Sequence, residues 1–139
     1  MFFIQLKIWN LEMSDSIFNL NHREFESQAP DLIRKLRNDK YFVDVSLVSS
    51  DGEQFDAHKA IISARSKMLS KILVANSHSK PLIYLTDVTK VQLKMMMDFI
   101  YIGECKVPED CLEDFLEIGT KLQVEGMAQT KNSKNEHMT

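Results

Sequence analysis

Glycine is scarce in this chain, with four in 139 residues. Loops that cradle phosphate use several glycines, because only glycine lets the backbone close on the ligand freely. No P-loop, dinucleotide fingerprint, G-x-S-x-G or H-E-x-x-H occurs, so the scattered Asp, His and Ser residues acquire no catalytic roles. The chain is expected not to be an enzyme and to need no cofactor. Cysteine is limited to Cys105 and Cys111. Their C-x5-C spacing fits no common zinc pattern, so no metal site is expected. They read as reduced, partly buried thiols of an intracellular protein. A long apolar run is missing too, which excludes a membrane-spanning helix. The opening M-F-F-I-Q-L-K-I-W-N lacks the basic start and small-residue cleavage site of a signal peptide. Basic excess is the last absence. Seventeen Lys and Arg stand against twenty Asp and Glu, for a net charge of −3. That balance argues against direct nucleic-acid binding by this segment.

What is present suits one globular domain, with 44% hydrophobic and 27% charged residues. Its centre is residues 43–75. Val43, Val45 and Leu47 alternate with Asp44 and Ser46, the period of a half-buried strand. Asp51-Gly52 predicts a two-residue type I′ hairpin turn, after which Phe55 and Ala57 alternate again. From Lys59 the apolar spacing becomes three or four, through Ile61, Ile62, Ala64, Met68, Leu69, Ile72 and Leu73. This predicts two short helices directly after the hairpin.

Upstream, residues 2–9 alternate with Phe2, Ile4, Leu6 and Ile8 on one wholly apolar face. A lone strand is unstable, and nothing close in sequence pairs with this one, so it must join a sheet here or in another copy. Residues 10–28 read as a linker with room for one helical turn. Pro30-Asp31 then opens a short helix carrying Leu32, Ile33 and Leu36 on one side, with Arg34, Lys35 and Arg37 as a solvated face near its basic end. Downstream, Leu82–Leu85 reads as a buried strand. Thr89 can cap a strongly amphipathic helix through Leu93, Met96, Met97, Ile100 and Tyr101, closed by Gly103. Met96 and Met97 face inward and Met95 the flank. Cys105–Val107 reads as a small strand, and Pro108 opens a last helix with a stripe of Leu112, Phe115, Leu116, Gly119 and Leu122. The fold class is α+β, a small sheet flanked by a cluster of short helices. The expected organisation is an N-terminal strand and linker at 1–29, a domain at 30–128 and a disordered tail at 129–139.

Four stretches in this order resemble the BTB/POZ domain. Phe42-Val43-Asp44-Val45-Ser46-Leu47-Val48 is similar to aromatic-x-D-V-x-L. Phe55–Ser66 resembles F-x-A-H-K-x-V-L-x-A-x-S. Met96–Glu104 is similar to L-L-x-F-x-Y-x-G-E, and Phe115–Met127 to the ending L-x-x-A-x-x-L-Q-V-K-G-L. The ending, with Leu82–Val88, looks most like the Tramtrack group. Leu6-Lys7-Ile8-Trp9-Asn10 is similar to that group's L-R-W-N-N, with one more residue between Leu and Trp.

The resemblance implies a protein–protein interaction module, commonly an intertwined homodimer in which the N-terminal strand is exchanged and the first helix packs on its mate. The implied interface residues are Phe2, Ile4, Leu6, Ile8, Trp9, Leu32, Ile33 and Leu36. It also implies a charged pocket of Asp44, His58 and Lys59, implicated in partner binding and dimer integrity. The simpler reading is that Asp44 and Lys59 satisfy each other or the local backbone, and that His58 is a packed, hydrogen-bonded histidine. Implied partners are the chain itself, other BTB proteins and co-regulators, in a nuclear transcription or chromatin regulator with DNA-binding fingers downstream. The alternative is a substrate adaptor for a cullin-3 ubiquitin ligase, which would also allow a cytoplasmic location.

Overall fold

A computed structural model describes residues 17–127 and the backbone of residues 5–6. Strand β1 (Gln5–Leu6) pairs antiparallel with β2 (Leu20–Asn21) of the same chain. Helix α1 (Phe25–Asn38) follows, then the hairpin of β3 (Val45–Val48) and β4 (Gln54–Ala57). Helices α2 (Lys59–Arg65) and α3 (Lys67–Ala75) lead to β5 (Leu82–Tyr84) and α4 (Lys90–Ile102). A single 3-10 turn (Glu109–Cys111) opens onto α5 (Leu112–Lys121). The main sheet has the order β4-β3-β5, with β3 antiparallel to β4 and parallel to β5.

Alternation along β3 builds the core. Val45 and Leu47 point inward and are essentially unexposed, against Ile62, Leu69, Leu93, Met96, Phe115 and Val124. Ser46 points outward, yet it is buried because β4 closes over it. Its hydroxyl donates to Asp56 Oδ1 at 2.7 Å and accepts from Gln54 Nε2 at 3.0 Å. All three methionines at 95–97 are buried. Met95 therefore belongs to the core rather than to a flank.

The hairpin turn differs from the two-residue type expected. Ser49 N–H donates to Glu53 O, and Gly52 N–H to Ser49 O, each at 2.9 Å. Within this loop only Gly52 has positive φ, at 88°, so a three-residue loop with a bulge glycine closes the strands. Ser49 and Asp51 lock this loop side chain to side chain, and Asp51 Oδ1 also accepts the amide of Lys90 at the start of α4. A Thr89–Gln92 capping box holds the same helix end, as the Thr89 reading anticipates, and Gly103 ends α4 in the left-handed conformation.

Two other elements depart from expectation. Helix α1 starts at Phe25, with Pro30 inside it, so the last turn of the expected linker, residues 25–28, is helical and the helix begins five residues before Pro30. Proline removes one backbone donor and crowds the preceding turn. Around Pro30 the helix surface is exposed, which leaves the freed Glu26 carbonyl to water. Cys105 and Val107 pack against the core without forming a strand.

The C-terminal segment straps the helices together. Buried Ser66 accepts the Leu69 amide at 3.1 Å, capping α3, and donates to Leu122 O at 2.6 Å. Glu125 N–H donates to Arg65 O at 2.8 Å. The strap ends at buried Met127, beneath Gly119. A Cβ at position 119 would collide with Met127 Sδ and lie 3.2 Å from its Cβ. The family pattern has Ala and Leu at these two places, so Gly119 and Met127 fit as a pair. Gly119→Ala is expected to cost about 1–3 kcal/mol by overpacking, and adding Met127→Leu to recover part of it, both read by chemical denaturation. A fully stable Gly119→Ala would contradict this packing.

Candidate functional site

Two regions carry the chemistry singled out in the sequence: the junction between hairpin and α2, and the outward side of α1.

At the junction, chain reversal brings the end of β4 beside the start of β3. Asp44 Oδ1 accepts the backbone N–H of Lys59 at 2.7 Å. His58, the N-cap residue of α2, makes no side-chain cap, so Asp44 supplies from the neighbouring strand what a capping residue supplies locally. Lys59 Nζ turns away and donates to the carbonyl of His78 at 2.8 Å. The structure therefore joins Asp44 to Lys59 through the backbone, and uses the ammonium to tether the loop before β5.

His58 is 7% exposed. Its backbone N–H donates to Tyr101 Oη at 2.9 Å, and its Nδ1 lies 2.8 Å from the same oxygen. A phenol has one proton. In the tautomer with the imidazole proton on Nε2, Tyr101 accepts the amide and donates its own proton to Nδ1. Nε2 faces Asp39 Oδ2 at 3.7 Å. Burial pushes the Tyr101 phenol above its usual pKa, which keeps it a neutral donor. Asp39 accepts the amides of Tyr41 and Phe42 at 3.1 and 2.9 Å. These bonds, that of Tyr41 foremost, hold its carboxyl below the usual value. Tyr101 was placed in the sequence as an apolar-stripe residue only. Its polar role rests on a partner 43 positions away, which no local pattern reveals.

Helix α1 presents Phe25, Ala29, Leu32, Ile33 and Leu36 at three-to-four spacing, yet none of its residues is buried. Phe25 is 57%, Leu32 50% and Ile33 37% exposed. One side of the helix lies against α4, where Arg37 pairs with Asp98. A shallow groove of about 460 Å³ runs along the outward side, lined by Gln28, Asp31, Leu32, Arg34, Lys35 and Asn38. Ile17, Phe18 and Leu20 are also exposed. Of the expected interface residues, Phe2, Ile4, Ile8 and Trp9 lie outside the described residues, as does the tail at 129–139. Leu6 is described as backbone in β1 only.

Among the described residues no group of three or more His, Cys, Asp or Glu side chains is arranged to hold a metal, and no helix is long and apolar enough to cross a membrane. Burial raises the pKa of both Cys105 and Cys111, with Asp98 adding at the first and Asp110 at the second.

Tyr101→Phe leaves two buried groups of His58 without a partner and is expected to cost about 2–4 kcal/mol in denaturation. Asp44→Ala removes a helix cap worth about 1 kcal/mol, while Asp44→Asn keeps an accepting oxygen and most of that stability. Acid sensitivity follows from Asp39, Asp51 and Asp56. Their pKa values are lowered chiefly by the Tyr41 amide, the Ser49 hydroxyl and the Ser46 hydroxyl respectively. A lowered folded pKa means stability that is complete above the unfolded value of 3.8 and lost as pH falls through the lower folded values. Thermal melts are expected to lose this contribution only below that point, and Asp56→Asn to flatten part of the fall. An identical acid limb in Asp56→Asn would contradict the assignment.

Residues 33–138 match the family described as BTB/POZ domain. "Longitudinals lacking protein-like" of Drosophila melanogaster is 35% identical over 120 residues, covering 86% of this chain and 94% of that protein. "Protein abrupt" of the same organism is 35% identical over 111 residues, or 80% of this chain but 12% of that protein. "Protein tramtrack, alpha isoform" is 27% identical over 124 residues, or 89% of this chain but 15% of that protein. The chain thus spans nearly all of the first relative and a small part of the other two. With its α+β architecture and these relatives of the Tramtrack group, the chain belongs to the BTB/POZ family, whose domain serves protein–protein interaction.

Proposed function

We propose that this domain makes a transcription or chromatin regulator oligomeric in the nucleus, by joining two copies across the outward face of α1. One observation carries the reading. A helix of 14 residues with a continuous apolar stripe has no buried residue, a surface that a monomer rarely leaves open. Pairing two copies lets DNA-binding segments elsewhere in such a regulator gain avidity through effective concentration.

Magnitudes decide how much surface is needed. Phe25, Leu32 and Ile33 are about half exposed. Completing their burial on both copies yields roughly 5–9 kcal/mol, comparable with the cost of association. Helix α1 alone is therefore marginal. The exposed Ile17, Phe18 and Leu20, and the apolar N-terminal strand, are the natural additions. The β1–β2 pairing within one chain is two residues long, short enough to be given up when a longer sheet edge is offered by another copy.

Leu32→Asp is expected to lower the light-scattering mass toward one copy while circular dichroism stays that of the folded chain. Removing residues 1–10 is expected to weaken association further. A folded Leu32→Asp chain with unchanged mass would contradict an α1 interface.

A further inference from the structure

Strand β5 is an edge of the main sheet, and among the described residues no strand pairs with its outer side. The bonds Ser46 N–H to Pro81 O and Leu85 N–H to Val48 O, at 3.0 and 2.8 Å, fix the phase of its parallel pairing with β3. Residues 81, 83 and 85 therefore turn their backbone groups to β3, while Leu82 and Tyr84 turn theirs away. Proline is one device that blunts such an edge. Pro81 does not blunt this one, because its missing N–H lies on the β3 side. The side chains of Leu82 and Tyr84 stand on the outer face of the sheet, beside partly buried Val48, and are 60% and 53% exposed. The Tyr84 hydroxyl donates to Ser50 O at 3.1 Å, which holds its ring in place. Two residues before Leu82, and so on the same face, Lys80 is held only loosely, 3.8 Å from Asp56 with both side chains nearly half exposed.

We infer that β5 takes up an extended segment of a different protein as a further strand, a segment with two apolar residues at alternate positions and an Asp or Glu two positions later. Main-chain bonds supply the attraction in such an addition, and alternate side chains the selectivity. In antiparallel pairing one residue of the segment forms a doubly hydrogen-bonded pair with Tyr84, and the next but one forms another with Leu82. Both of these side chains then stand on the outer face, against the Tyr84 ring and Leu82. Two positions further on, a side chain comes opposite Lys80 on the same face, and charge complementarity makes it acidic. The register also argues against a second copy of β5 as the occupant. Self-pairing centred on Ile83 sets Leu82 opposite Tyr84, and therefore Lys80 opposite Thr86, which offers the ammonium no charge. An open ladder of two residues makes four main-chain bonds at most. The contact is weak alone and suits a flexible segment whose protein is already held to the particle elsewhere.

The inference goes beyond the α1 reading and is tested separately from it, on the full chain with the synthetic peptide G-S-V-T-V-S-E-S-G. Binding is read from fluorescence anisotropy of the labelled peptide and from the amide resonances of Leu82 and Tyr84. Methylating the amide nitrogens of both peptide valines removes the donors that face β5 and is expected to weaken binding about tenfold or more. Methylating the threonine between them, whose N–H faces away, is expected to cost far less. Replacing the peptide glutamate by lysine is expected to weaken binding about two- to fivefold at low salt, and Lys80→Glu to reverse that preference. Leu82→Ser is expected to weaken both peptides while circular dichroism stays that of the folded chain. No uptake of the peptide at millimolar concentration overturns the inference, as does binding indifferent to which amide is methylated or to the charge exchange. Resonances of Leu82 and Tyr84 that move with protein concentration alone, with nothing added by the peptide, assign the edge to a second copy and overturn it too. Leu32→Asp is expected to leave peptide binding unchanged, so failure of the α1 interface and failure of the edge are separate results.

Discussion

The hydroxyl of Tyr101 is where the separate parts of this domain meet. It accepts the amide of His58 and hydrogen-bonds the His58 ring at Nδ1, pinning the end of the hairpin to α4. Through His58 the link reaches Asp39, and Asp39 fixes the turn that leaves α1. Asp44 adds the cap that starts α2 a residue later. The bonds of Tyr101 satisfy two His58 groups that burial would otherwise penalise, and buried polar groups with partners specify one arrangement where an apolar patch would allow several. The strap at Ser66 does the same for the opposite end of the helices.

Division of labour follows. The polar residues that look most like a functional pocket are largely occupied in holding the chain together. Asp44 is engaged by an amide, Lys59 by a carbonyl, and His58 by a phenol. The unspent surface is apolar and lies elsewhere, on α1 and the segment before it. A BTB/POZ domain that works by contact with other chains is expected to have this distribution, with its polar groups paired inside and hydrophobic area left outside for a partner.

Much of the framework was legible in the sequence because it is written locally. Period-two alternation marked β3 and β4, three-to-four spacing marked α2 to α5, and Thr89 and Gly103 marked the ends of α4. The start of α1 was not legible, because Pro30 carries a helix-start signal that here sits inside the helix, where an exposed backbone tolerates it. The turn was misread because Asp-Gly suits both a two-residue loop and a bulge loop, and the bond from Ser49 to Glu53 decides between them. The roles of Asp44, Lys59 and Tyr101 depend on partners 15, 19 and 43 positions distant. Composition fixes that such groups need partners, while only the tertiary fold says which.

The central claim is that the junction around Tyr101 is an internal clamp and that α1 is the surface shared between copies. Amide hydrogen exchange at low and high protein concentration tests both halves in one experiment. Protection in residues 25–36 is expected to rise with concentration, while residues 43–48 and 57–65 exchange at the same slow rate throughout. Concentration-independent exchange in α1, with protection gained instead around Asp44 and His58, would contradict the account.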